Sequence, residues 1–204
     1  MAFREALKFG APPLVAGIVA GFVGWTWPSV ILIAAAAFVF FFFRDPDRAA
    51  PPDPAAVVSP ADGRVLEVVD ETLDGRLGRR VSIFLSLWDV HVNRAPAAGR
   101  IARIEYQPGK FHAAMRARAG TENERNVIRL ETGRGPVVVK QIAGLIARRV
   151  LLWMPEGSPV ERGQRIGMIR FGSRVEMWLP DQAEIRVRPG EHVRGGSSVV
   201  AEWQ

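Results

Sequence analysis

Residues 11–43 (APPLVAGIVAGFVGWTWPSVILIAAAAFVFFFF) carry no charged side chain, and no other feature constrains the fold of this chain as much. A secretory signal would have a shorter apolar core and a small-residue cleavage site, neither of which is evident. As one straight helix the run would reach about 50 Å at 1.5 Å per residue, more than a hydrocarbon core of about 30 Å requires. Pro28 interrupts it just after Trp25 and Trp27, so two helices over 12–26 and 28–43 are expected. Arg4 and Lys8 precede the run, and Arg44 and Arg48 follow it. Positive flanks stay on the cytoplasmic side, so residues 1–43 read as a helical membrane-anchoring hairpin with both ends on one face. Each arm is short for a full span, which leaves a re-entrant or interfacial hairpin open, and a buried core hairpin is the bland alternative.

The remainder is charge-rich. Residues 44–54 (RDPDRAAPPDP) hold four prolines among alternating charges and cannot continue a helix, so 44–56 reads as a linker. From residue 57 the pattern changes to short apolar runs cut by Gly, Pro or Asp. Strands are expected over 64–69, 81–87, 100–106, 127–131, 137–142, 146–153, 165–171, 174–179 and 184–187, with one helix over 110–119. The fold class is therefore mainly β, a sandwich or barrel-like catalytic domain of short strands over 57–204 behind the helical hairpin. Lys plus Arg number 27 against 21 Asp plus Glu, and the pI is about 10.8. These cations are dispersed and not interleaved with aromatics, which argues against nucleic acid and leaves an anionic lipid bilayer or an acidic ligand as partner. The absence of cysteine excludes disulfides, thiolate metal sites and a Cys nucleophile. No metal site is expected.

Four stretches carry candidate chemistry: SPADG at 59–63, WDVHVNR at 88–94, NER at 123–125 and FGSR at 171–174. Each has a plain reading. Asp62-Gly63 is a turn signal, a strand-end histidine such as His91 is often packing, Gly172-Ser173 fits a hairpin turn, and Asn123–Arg125 fits a solvated loop. Together Asp62, His91 and Ser173 supply an orienting carboxylate, a base and a hydroxyl nucleophile. The Gly-x-Ser-x-Gly elbow of common serine hydrolases is absent around Ser173.

In order along the chain, an apolar hairpin, FRDP at 43–46, SPADG at 59–63, DVHVNR at 89–94, PGKF at 108–111, NER at 123–125, ARR at 147–149 and FGSR at 171–174 resemble the short bacterial and archaeal-type phosphatidylserine decarboxylases over nearly the whole length. The resemblance implies a proenzyme that cuts itself before a serine in a Gly-Ser pair. Three pairs compete, Gly157-Ser158, Gly172-Ser173 and Gly196-Ser197. Ser158 lies between prolines and lacks the preceding Phe, and a cut before Ser197 would leave only a stub. Cleavage between Gly172 and Ser173 gives a β chain, 1–172, and an α chain, 173–204, held as a heterodimer, with a higher oligomer left open.

By the same resemblance, Ser173 Oγ attacks the Gly172 carbonyl to give an ester. Removal of the Ser173 α-proton then eliminates the ester, and hydrolysis of the dehydroalanine, with loss of ammonia, leaves a pyruvoyl cofactor. Asp62 and His91 activate the hydroxyl. The ketone forms a Schiff base with the serine headgroup of phosphatidylserine in the membrane and takes up the electrons released with CO2. His91 protonates the product carbanion on the way to phosphatidylethanolamine. Longer family members carry His-x-x-His, whereas here Arg94 stands in the second place, so His91 serves both steps or His112 assists. Asn123, Arg125, Arg148 and Arg149 are the expected substrate-binding side chains. Adjacent Arg148 and Arg149 would point to opposite faces of a strand, so one of them reaches the site. The expected location is the cell membrane, with the catalytic domain on its cytoplasmic face. Two other classes compete. A lipoyl- or biotinyl-like membrane adaptor would need an exposed carrier lysine, and Lys8, Lys110 and Lys140 occupy no convincing carrier turn. A membrane-bound serine hydrolase using Asp62, His91 and Ser173 would remain one intact polypeptide.

Overall fold

A computed structural model of the chain describes residues 1–116, 118–145, 150–170 and 172–204. It comprises two compact units, Met1–Asp47 and Arg48–Gln204. The first is a helical hairpin of α1 (Ala2–Phe22) and α2 (Thr26–Phe42). The first helix starts ten residues earlier than expected, at residue 2 rather than 12, and runs through Pro12 and Pro13. The preceding AFREALKF stretch is rich in strong helix formers, which outweighs the two ladder bonds the prolines remove. Pro28 falls in the first turn of α2, where its missing N–H costs nothing. Small residues let the helices approach, Gly10 against the Phe40 ring and Gly17 against Leu32 and Ile33. None of the described helices is long and apolar enough to cross a membrane. α2 is uncharged but has 17 residues, about 26 Å, and the 21-residue α1 includes Arg4, Glu5 and Lys8.

The second unit opens with β1 (Ala56–Val58), β2 (Gly63–Asp70) and β3 (Gly78–Leu85). It continues through β4 (Val92–Arg94), β5 (Gly99–Gln107), the four-residue α3 (Ala119–Glu122), β6 (Arg125–Thr132), β7 (Gly135–Ile142) and β8 (Val150–Leu152). β9 (Pro159–Val160), β10 (Arg165–Ile169), β11 (Ser173–Pro180), β12 (Ala183–Ile185), β13 (His192–Val193) and β14 (Val199–Trp203) complete it. The fold is mainly β, as expected, with a curled eight-stranded sheet in the order β13-β2-β3-β11-β7-β6-β5-β9 forming a half-barrel. Two three-stranded sheets, β1-β14-β12 and β4-β10-β8, accompany it. The strand expected over 146–153 is seen as β8, and residues 146–149 lie outside the described residues. The helix expected over 110–119 does not form. The Lys110 amide donates to Glu122 O at 2.7 Å and the Glu124 amide to Lys110 O at 3.1 Å. That bridge commits the Lys110 backbone across the loop, and α3 is confined to 119–122.

Alternation along β11 builds the two faces of the sheet. Val175, Met177 and Leu179 enter a core with Ile83, Ile128 and Ile166, while Arg174, Glu176 and Trp178 occupy the opposite face. Both faces are covered, so every residue of β11 is buried.

Register places the singled-out motifs at one end of this sheet. Arg64 pairs with Phe84, Ser173 with Leu85, Arg174 with Ile142, Arg125 with Ile142 and Gln107 with Arg125. β2, β11 and β6 therefore begin where β3, β7 and β5 end. SPADG, DVHVNR, FGSR, NER and PGKF flank those termini. Antiparallel order converts five stretches far apart in sequence into one rim.

Candidate active site

Gly172 and Ser173 stand at the centre of that rim. All three competing glycines, 157, 172 and 196, take positive φ, so backbone conformation does not discriminate among the Gly-Ser pairs. Burial does. Ser173 is fully buried, whereas Ser158 and Ser197 are partly exposed. Ser173 Oγ has no hydrogen-bond partner among the described residues, an expensive state for a buried hydroxyl unless it has chemistry to perform. Gly172 has φ of 59°, in the left-handed region, and a Cβ there would meet nothing within 4 Å. Glycine is required here for conformation, not for space.

Gly144 packs against the carbonyl of Gly172. An ideal Cβ on Gly144 would lie 1.7 Å from Gly172 O, so only glycine lets the end of β7 approach this carbonyl. Sequence reading gave Gly144 no role, since a lone glycine after a strand reads as a turn. Asn123 holds this strand end in place. Its Nδ2 donates to Ala143 O at 2.7 Å and to His112 O at 2.8 Å, and its Oδ1 accepts the His112 amide at 2.8 Å. Both donors are spent on backbone, so any ligand contact falls to the remaining Oδ1 lone pair. Arg125 donates from Nη1 to Thr121 O at 2.6 Å and Asn123 O at 3.1 Å, which clasps the α3–β6 junction. Arg148, Arg149 and Phe171 lie outside the described residues.

His91 is fully buried, and its position follows from the loop after β3. Its carbonyl accepts the Ile169 amide at 3.2 Å, which ties it to the end of β10, just before Gly172-Ser173. Its Nδ1 lies 3.0 Å from Asp89 O. A carbonyl only accepts, so this contact assigns the proton to Nδ1 and makes Nε2 the basic nitrogen of the neutral ring. Asp89, inside the quoted motif but given no role from sequence, organises the loop. Its carboxylate accepts the Ser86 amide at 2.8 Å, Ser86 Oγ at 2.6 Å and His192 Nε2 at 2.9 Å.

Asp62 lies at the same sheet end, with its carboxylate committed to Arg48 and to the Gly195 amide at 2.8 Å. Arg48, read from sequence as a linker cation, is a half-buried partner here, with its Nη2 2.7 Å from Asp62 Oδ2. Arg94 Nη1 donates to Gly163 O at 3.0 Å, and the Arg94 amide donates to Pro60 O at 2.9 Å. The arginine in the second-histidine position thus joins the SPADG loop to the 163 turn. His112 Nε2 lies 3.1 Å from Glu122 Oε2, and hydrogen bonds from Lys110 and then His112 hold Glu122 below the usual carboxylate pKa.

Behind β11, Arg174 Nη2 donates to Glu67 Oε1 and to Ser82 Oγ at 2.9 Å, and lies 2.9 Å from Glu176 Oε1. Arg80 joins Glu67, Glu71 and Glu176, and Lys140 joins Glu71 and Glu176. Three cations face three carboxylates directly beneath the first residues of β11. Desolvation acts against the Glu67 carboxylate, yet the Arg80 hydrogen bond and the charges of Arg80 and Arg174 hold its pKa below the ordinary value. Arg174 was read only as the last letter of a motif.

The chain matches the family model described as phosphatidylserine decarboxylase over residues 35–201. It is 46% identical over 201 residues to the phosphatidylserine decarboxylase proenzyme of Symbiobacterium thermophilum, covering 97% of this chain and 93% of that relative. With the motifs gathered on one rim around Gly172 and the buried Ser173, this match shows that the chain belongs to the phosphatidylserine decarboxylase family of carboxy-lyases.

Proposed function

We propose that the chain matures by cutting itself between Gly172 and Ser173, and then decarboxylates phosphatidylserine to phosphatidylethanolamine with a pyruvoyl group made from Ser173. The observation that carries this reading is the buried Ser173 hydroxyl, without a partner among the described residues and preceded by a glycine in the left-handed region. That placement fits an attack of Oγ on the neighbouring carbonyl carbon. The C–O bond forms as the peptide C–N bond breaks, giving an ester with a free Ser173 amine. Loss of the α-proton then expels the Gly172 carboxylate, and hydrolysis releases ammonia. Gly144 packs against the carbonyl under attack, and Asn123 holds the carbonyl of the neighbouring Ala143.

The pyruvoyl group, once formed, supplies a ketone able to condense with an amine and to accept the electron pair left by CO2. His91 Nε2 moves the protons, as base in processing and as acid towards the product carbon. Asp62 is the orienting carboxylate. Its bonds to Arg48 and Gly195 make its contribution one of holding the 59–63 loop at the rim. Arg125, Arg148 and Arg149 are the proposed cationic partners of the phosphodiester and carboxylate.

The α and β chains stay together, because β11 is hydrogen-bonded between β3 and β7. The hairpin unit is proposed as a membrane anchor with the catalytic unit on the cytoplasmic face. Its outer surface exposes Phe22, Trp25, Trp27 and Ile31, which supports insertion into lipid without requiring either helix to cross. Intact-mass measurement of the purified protein tests the reading. The expected result is two chains, the smaller beginning at residue 173 and lighter by one ammonia than its serine form, with Ser173→Ala a single chain without activity. A single uncut chain with full decarboxylase activity, or two chains from Ser173→Ala, would refute it.

A further inference from the structure

Among the described residues, the Arg48–Gln204 unit exposes six large hydrophobic side chains, and four of them surround one opening. Leu87, Trp88, Met115 and Leu145, exposed by 36, 68, 64 and 64%, line a pocket of about 310 Å³ whose wall includes Gly172. The others, Leu77 and Tyr106, do not line it. A domain able to bury Trp178 and Met177 completely has no packing reason to gather its exposed apolar surface in one place. Contiguous apolar surface of this kind marks an interaction site. The cluster comes from three separate elements, the loop after β3, the 113–116 turn and the segment after β7. Each is brought there by the sheet end that also holds Gly172 and Ser173.

We propose that this rim is a lipid-bilayer docking surface of the catalytic unit itself, separate from the hairpin, and that it seats the mouth of the site in the interfacial region of the membrane. The inference rests on the reading of Gly172-Ser173 as the reacting bond and extends it to how substrate arrives. Three features favour lipid over a protein partner. A tryptophan on the rim is the side chain that best suits a surface apolar at one end and wet at the other. Exposed Arg116 and Arg118 follow Met115, whereas the nearby acids are paired within the chain, Asp89 with Ser86 and His192 and Glu122 with Lys110 and His112, so the cations beside the apolar rim are the charge offered to anionic headgroups. A lipid substrate also imposes the geometry. Its headgroup must reach the ketone formed at the buried position 173 while its tails stay in hydrocarbon, and an apolar pocket opening beside Gly172 meets that demand with the rim immersed by about 5–10 Å.

The test uses the full chain in vesicles of phosphatidylcholine and phosphatidylserine, with acyl-brominated phosphatidylcholine as the quencher. Emission of the Trp88→Phe chain is subtracted from that of the wild type to isolate Trp88. The expected result is a loss of at least about twofold in the Trp88 signal with brominated lipid, and protection of that signal from aqueous iodide, as for an interfacial side chain. A Trp88 signal indifferent to bromine and still open to iodide would overturn the proposal. So would a signal in lipid-free detergent that depends on protein concentration, since that assigns the rim to a second copy of the chain.

A Trp88→Glu/Met115→Glu chain gives the second measurement. It is expected to process at the normal extent while turning over vesicular phosphatidylserine about tenfold more slowly, because charge replaces apolar anchors at the interface. Wild-type turnover on vesicles by this variant would count against docking. If it fails to fold, the quenching result decides alone. Absence of processing and decarboxylation in the wild type would sink the reading of Gly172-Ser173 instead, and leaves the quenching measurement free to judge the surface.

Discussion

Replacing Gly144 with alanine is the sharpest test of how the fold would prepare Gly172 for the proposed cleavage. The new Cβ would lie 1.7 Å from Gly172 O, whereas carbon–oxygen contacts settle at about 3.3 Å or more. The two backbones must separate by about 1.6 Å, the difference of those distances. A misplacement of about 1 Å costs on the order of 100-fold in rate, or about 2.7 kcal/mol of barrier. Processing of Gly144→Ala is therefore expected to slow by about that factor. Freshly synthesised chain would be sampled over time on denaturing gels and the uncut fraction fitted to a rate. Gly99→Ala serves as the control, since its Cβ would lie 2.2 Å from Glu131 O at the opposite end of the sheet. It strains a strand pair in the same way and should lower the melting temperature without slowing processing. Wild-type processing by Gly144→Ala, or equal slowing by Gly99→Ala, would refute the argument that Gly144 acts on the scissile carbonyl and not on general stability.

Arg174→Met takes from the buried Glu176 and its neighbour Glu67 one of the two arginines they share, Arg80 being the other, and should cost about 1.5–3 kcal/mol in denaturant titration of the full chain, part of which Glu176→Leu restores. Asn123→Ala strands the buried carbonyl of Ala143 at about 1–3 kcal/mol and frees two half-buried backbone groups of His112, and is expected to slow processing as well as lower stability, because Ala143 carries Gly144. The depressed Glu67 pKa means that its stabilisation is present above its unfolded pKa and lost as pH falls through the folded value. Melting temperature should therefore drop from about pH 4 downward, with a shallower acid limb in Glu67→Gln. A Glu67→Gln profile identical to wild type would show that the Arg80 and Arg174 contacts do not set this dependence.

Much of the fold was legible because its signals are local. The apolar run 81–87 and the alternation of Val175, Met177 and Leu179 with Arg174 and Glu176 are local strand signals, and β3 and β11 lie there within a few residues at either end. The two-residue β9 and β13 were not legible, because they exist only through pairing with β5 and β2. The expected helix over 110–119 failed for a related reason. Its composition suits a helix, but the long-range bridge from Lys110 to Asn123 commits the backbone differently. At the site, the Gly-Ser pair, His91 and the Asn-Glu-Arg stretch were visible as motifs. Gly144 and Asp89 were not singled out, since one acts through the space it leaves and the other through a loop it closes.

The sequence alone determined that an uncharged stretch near the start would form helices, that the rest would be a β domain, and which residue types could support self-cleavage and decarboxylation. The first two are properties of composition, periodicity and short-range order, and the third is what the resemblance of the motifs to the decarboxylase family implies. Only the tertiary structure decided which of three Gly-Ser pairs holds a buried serine, that Asp62 is clasped by Arg48, and that five motifs share one rim. Those outcomes depend on which strands lie side by side and in what register, and the free energy that selects a register comes from burial and hydrogen bonding between residues far apart in the chain.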